Sequence, residues 1–257
     1  MSAQSRLLIS SSIQGILCFA LPAYVTVRRF NRQPLRFLGL TTPVSWRPFA
    51  GVVIVFIIGL PMLNWLVAVN ESITLPVGLG GLEGKLREWE DAARAMTSEM
   101  LAASSFNGLL INILVIGLLT GLCEELFFRG ALQRIMGNIP QIAKGGAVWC
   151  AAIIFSAVHF QFFGFIPRML LGLFFGYILY STGSLWPSIF AHMLNNSLVV
   201  ITTWFEGHGN LLGVLQTVGI PSEGRFPWLA MSSALTLAVF LECSYNWFFS
   251  KKELKNG

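Results

Sequence analysis

Two adjacent carboxylates, Glu124 and Glu125, stand in the apolar stretch Gly121-Leu-Cys-Glu-Glu-Leu-Phe-Phe-Arg129, and His159, His192 and Asn196 follow in later apolar stretches. A carboxylate and an imidazole can take a proton from water, while a second imidazole and an amide can donate to a developing oxyanion, which is what peptide hydrolysis needs. The same groups can be drawn as a zinc site, with Glu124, His159 and His192 as ligands and water in an open position. The residues alone leave both mechanisms open. Residues four apart share a helix face, so Glu125 can pair with Arg129, acid before base, and His192 projects together with Asn196. Glu124 is turned about 100° from Glu125 by helix geometry. A single polar residue in such a helix can also be a tie between helices worth about 1 kcal/mol. Four such residues at matching depth point to function, because each is costly to place in an apolar helix. Glu242 has no visible partner and reads as structural, and His208 as solvated in a polar loop.

The elements that must position these groups are membrane helices. Hydrophobic residues make up 54% of the 257 positions and charged residues only 11%, with mean hydropathy +0.68, against about 25% charged in soluble domains. Apolar runs of bilayer length fall at about 7–27, 48–69, 106–136, 146–161, 168–182, 185–206 and 226–249. The expected fold is therefore all-α, a polytopic bundle of about seven spans, with an eighth, re-entrant piece left open. It forms a single membrane domain over 1–257, with core helices over 106–206 and a polar loop over 70–105. The short fourth and fifth spans belong in the interior or beside a thinned bilayer. Glu124 lies thirteen residues before Gly137 and His159 thirteen after Gly146, so regular helices put both about 20 Å from the intervening turn. His192, nine residues beyond Gly183, comes to about 13 Å, a gap that tilt can close.

The 17 Lys+Arg against 12 Asp+Glu are a topology signal and not a nucleic-acid surface, because the cations cluster between apolar runs. Arg28, Arg29, Arg32, Arg36, Arg47, Arg129, Arg134, Lys144, Lys251, Lys252 and Lys255 fall on one side. Arg6, Lys85, Arg87, Arg94, Arg168 and Arg225 fall on the other, with the acidic residues of the 70–105 loop. The amino terminus is thus expected outside and the carboxyl terminus in the cytoplasm. Within the loop, Leu82 to Leu101 reads as an amphipathic surface helix, a solvated lid in preference to a recruitment site for substrate. Gly84-Lys85 is no phosphate loop, since Leu79 and Leu86 occupy the places of the first Gly and the Ser/Thr. Cys18, Cys123, Cys150 and Cys243 sit singly in apolar runs and read as packing residues, not metal ligands. The first run lacks a clear cleavage site before Arg28-Arg29 and reads as a retained helix.

Glu124-Glu125-x-x-x-Arg129, Phe155-x-x-x-His159 and His192-x-x-x-Asn196 resemble, in order, the three motifs of the CAAX protease and bacteriocin-processing (CPBP) family, over about residues 106–200. No motif position departs from the pattern. The resemblance implies a membrane-embedded endopeptidase in which Glu124 and His159 activate water, His192 and Asn196 stabilise the oxyanion, and Glu125, Arg129 and Phe155 support them. Zinc is a possible cofactor, and a metal-free glutamate mechanism is equally open. The implied partners are the lipid bilayer and a membrane-associated peptide or protein, with no nucleic acid, and the implied place is a bacterial inner (plasma) membrane. The alternatives are a non-proteolytic scaffold or immunity protein of the same fold and, third, an ion or proton transporter, for which the first, second and last spans offer few polar residues.

Overall fold

The computed structural model of the protein describes residues 2–103, 105–207 and 211–249. Among them the chain is all-helical with no strand, as a bilayer demands of a chain whose segments must satisfy their own backbone groups. The helices that matter here are α1 (Ala3–Phe30), α2 (Arg47–Glu71), α3 (Gly80–Leu101), α4 (Phe106–Met136), α5 (Lys144–Ala157), α6 (Phe165–Thr182), α7 (Trp186–Gly207) and α8 (Trp228–Phe249).

Among the described residues five segments are long and apolar enough to cross a membrane: α1, α2, α4, α6 with its preceding turn (Phe162–Thr182), and α8. The other two expected spans coincide with α5 and α7 but fall short of that standard. With 14 residues, α5 reaches about 21 Å, against a hydrocarbon core of about 30 Å. The 22 residues of α7 are diluted by His192, Asn195 and Asn196. The most apolar windows of α1, α2 and α8 are only 11% buried, whereas that of Phe162–Thr182 is 44% buried. The first three therefore form the rim, turning Ile13, Leu17, Ile57, Leu235 and Val239 outward, and α6 lies inside. Apolar surface on that scale needs lipid to cover it, so this is an integral membrane protein.

Glycine pairs let the inner helices close up. Gly117 and Gly121 on α4 face Ser197 and Met193 of α7, and the small-xxx-small spacing admits that approach. Gly172 and Gly176 on α6 face Arg129 and Gln133 of α4 and Ala152 and Val148 of α5. At Gly176 an added Cβ would stand 2.7 Å from Gln133 Oε1 and 2.8 Å from Val148 Cγ1. The bare backbone there also exposes its carbonyls: Arg129 donates to Gly172 O at 3.1 Å and Gln133 to Gly176 O at 3.0 Å. At the rim, α2 packs on α8 around Val52 and Phe249, and Ser181 of α6 hydrogen-bonds Tyr245 of α8.

Three expectations need correction. First, α5 stops at Ala157, so His159 is not within a regular helix as the 146–161 span implied; residues 158–160 turn, with Phe160 left-handed at φ +53°. The chain must reverse there to begin α6 at Phe165, whose first turn accommodates Pro167. Second, the cysteines are free but not uniformly packed: Cys123 is buried, whereas Cys18 and Cys243 are exposed. Third, Glu90 of the supposedly solvated helix is buried. Glu242 is exposed, and His208, Lys251, Lys252 and Lys255 lie outside the described residues.

Candidate active site

The helix α4 winds regularly over Thr120–Glu125, between wider turns at Ile113–Leu119 and Leu126–Gln133. Such π-type turns are frequent at functional sites because they free backbone carbonyls. One of those carbonyls is used, since Ile116 O accepts from Asn196 Nδ2 at 3.1 Å. Asn196 Oδ1 in turn accepts from Asn195 Nδ2 at 3.2 Å. Asn196 thus ties α7 to α4 with one N–H, and its second N–H is left for other use.

Glu125 and Arg129 are both completely buried. Arg129 Nη1 donates to Glu125 Oε1 at 2.6 Å, and His192 Nδ1 meets the same oxygen at 2.9 Å. Because a carboxylate accepts, His192 carries its proton on Nδ1. Its Nε2 stands 3.7 Å from Glu124 Oε2, a separation that a water can bridge. The two glutamates thus diverge around one imidazole. Phe175 stacks on His192 with centroids 5.1 Å apart, and Phe155 meets it edge-on at 5.7 Å. The Arg129 guanidinium lies 4.3 Å from the Phe155 ring centre, a favourable contact for a buried cation.

His159 is held differently. Its Nδ1 lies 2.7 Å from Phe155 O; a carbonyl accepts, so Nδ1 carries the proton and the neutral ring keeps its lone pair on Nε2. Glu124, Phe155, His159, His192 and Asn196 open onto one cavity of about 960 Å³, with no hydrogen bond between Glu124 and His159 among the described residues. Motif spacing did not reveal Asn195, Arg168, Gln161 and Phe175, which also line this cavity. Arg168 was counted only as a charge on the outer side, and its place at the edge of an apolar run is the signal that could have found it.

The zinc alternative requires Glu124, His159 and His192 to gather as a ligand set. Among the described residues no three His, Cys, Asp or Glu side chains do so, although His192 and His159 are each held through Nδ1 and keep Nε2 free, the arrangement a metal-bound histidine also has. The three side chains are not gathered as a zinc site among the described residues, and no step below passes through a metal.

Compared with known protein families, residues 106–198 match the one described as Rce1-like, type II CAAX prenyl endopeptidase Rce1-like. This segment is similar to that family. It runs from α4 into α7, carries every motif residue described above, and is consistent with the CPBP family. No curated protein and no solved structure matches the chain.

Proposed function

We propose that the protein is an intramembrane endopeptidase that hydrolyses a peptide bond of a membrane-associated peptide or protein. The observation that carries this reading is the single cavity that receives Glu124 from α4, His159 from the turn after α5, and His192 and Asn196 from α7. Glu124, with His159 Nε2 as the second acceptor, takes a proton from water, and the water oxygen attacks the scissile carbonyl carbon. The carbonyl oxygen becomes an oxyanion facing donors from His192 and the spare Asn196 N–H. The C–N bond then breaks and the nitrogen takes up the proton, leaving a new carboxyl terminus and an amine. Glu124, Glu125 and Arg129 carry one net negative charge when ionised. For Nε2 of His192 to donate to the oxyanion, it must carry a proton in addition to the one on Nδ1. Glu125, Arg129 and Phe155 fix that ring.

Purified protein in lipid nanodiscs, given a solubilised membrane-protein fraction, should generate new carboxyl termini and continue to do so under a metal chelator. Cleavage lost on chelation and restored by zinc would contradict the metal-free assignment; no cleavage under either condition would contradict the peptidase.

The chain is further proposed to cross the membrane with residues 28–47 in the cytoplasm and 70–105 outside, as seven spans in a bacterial inner membrane. Three connections meet at the basic end, where Leu185 N donates to Gly39 O at 3.0 Å and Arg134 to Gly183 O at 2.7 Å. The polar α3 lies away from them, over the cavity. After the native cysteines are replaced by Ser, an impermeant thiol reagent should label Asp91→Cys in intact cells and Arg36→Cys only after permeabilisation. The opposite pattern would invert the orientation.

A further inference from the structure

The polar helix α3 has exposed neighbours on either side of Glu90, Trp89 and Asp91, yet Glu90 itself is only 5% exposed. A buried carboxylate persists only when it is well paired, and the partners of this one lie just beyond His159. Gln161 Nε2 donates to Glu90 Oε1 at 3.2 Å, and the Phe163 backbone N–H donates to Oε2 at 3.2 Å. Arg94 Nε stands 3.8 Å from Oε1. Other contacts hold the same turn. Trp89 packs edge-on against Phe160, the residue in the left-handed conformation, with centroids 6.4 Å apart. Asn70, buried at the end of α2, donates to Phe162 O at 3.2 Å. The Arg87 guanidinium sits 3.5 Å over the Phe163 ring. Gln161 also accepts from Arg168 at 2.6 Å.

This clamp has a consequence for His159, which lies two residues past the last helical residue of α5 and is tied to that helix only through Phe155 O. Its imidazole is fixed by its bond to Phe155 O and by the turn that α3 grips. An aromatic residue at φ +53° is strained backbone that persists only where its surroundings over-determine it. We propose that Glu90 is a positioning residue for His159, so that α3 is a working part of the site and not a solvated cover. The proposal rests on the peptidase reading and gives the polar loop a role in that reaction. An ångström of misplacement in a reacting group lowers rate by about 100-fold, so loosening this turn should act on kcat more than on binding.

The test uses the full chain in nanodiscs, with hydrogen–deuterium exchange over residues 158–164 and cleavage of a quenched fluorescent peptide that wild type cuts. Glu90→Gln replaces an acceptor oxygen with a donor and cannot accept from both Gln161 and Phe163. It should raise exchange in 158–164 about tenfold or more and lower kcat by about 10- to 100-fold with KM within about twofold. Glu90→Asp should recover part of kcat. Glu88→Gln, which alters an exposed acid of the same helix, should change neither quantity. Should Glu90→Gln not fold, Trp89→Leu, at a half-exposed position, should shift both quantities in the same direction by less. Unchanged exchange in both variants overturns the proposal, as does raised exchange with unchanged kcat, or equal losses in the Glu88 and Glu90 variants. A wild type that cleaves nothing overturns the peptidase reading instead, and the exchange comparison still decides whether Glu90 holds the His159 turn.

Discussion

Glu124→Gln should abolish cleavage, lowering kcat by about 10²- to 10⁴-fold, while leaving the bundle intact. The substitution keeps the size of the side chain and removes its capacity to take a proton. Little else depends on the carboxylate: its side chain is 13% exposed, it opens onto the cavity, and its nearest ionic partner is His192 Nε2 at 3.7 Å. Thermal unfolding in detergent and substrate binding should therefore stay near wild type. Kinetics and a melting curve on the same preparation check this together. Loss of folding along with activity would assign Glu124 a structural role and place the base elsewhere.

Glu125→Gln should fail in the other way. Its Oε1 accepts from both Arg129 and His192, and both members of the ion pair are fully buried. Removing the negative charge leaves Arg129 without compensation, a loss of about 3–5 kcal/mol for a buried pair. It also frees the His192 ring. Stability and activity should fall together. Glu125→Gln combined with Arg129→Met should regain part of the stability, since no orphaned charge remains. Recovery stays partial because Arg129 also donates to Gly172 O and packs against Phe155. Chemical or thermal unfolding of the single and double variants measures the difference. A Glu125→Gln protein with normal stability would contradict the account of the pair.

What could be read from the sequence was mostly local or compositional. Apolar runs set the all-helical fold and the bounds of α4, and the four-residue spacing of Glu125 and Arg129 carries over directly, because a helix brings such residues together whatever surrounds it. The two glycine pairs, Gly117/Gly121 and Gly172/Gly176, were visible in the letters as small-xxx-small repeats. Which helix each would admit was not, since that depends on the packing of the whole bundle. His159 was placed on a helix because its stretch is apolar, but the chain's need to reverse before α6 ended that helix early. Glu90 looked solvated because its neighbours are charged, and its partners at Gln161 and Phe163 lie 71 and 73 residues away. Asn196 meets α4 through a carbonyl freed by a wide turn, a distortion that spacing alone does not announce. The span count differs for a related reason: α5 and α7 carry the site, and the features that suit them to it, short length and polar residues, take them below the standard of a simple membrane crossing.

The central claim, that the cavity of Glu124, His159, His192 and Asn196 cuts peptide bonds, is tested most directly by comparative proteomics of cells producing wild type or Glu124→Gln at equal levels. The account predicts a defined set of membrane-associated peptides or proteins that accumulate uncut in the Glu124→Gln membranes, with their cleaved forms present only with wild type. A membrane proteome that is the same in both would contradict it and favour a non-proteolytic scaffold of the same fold.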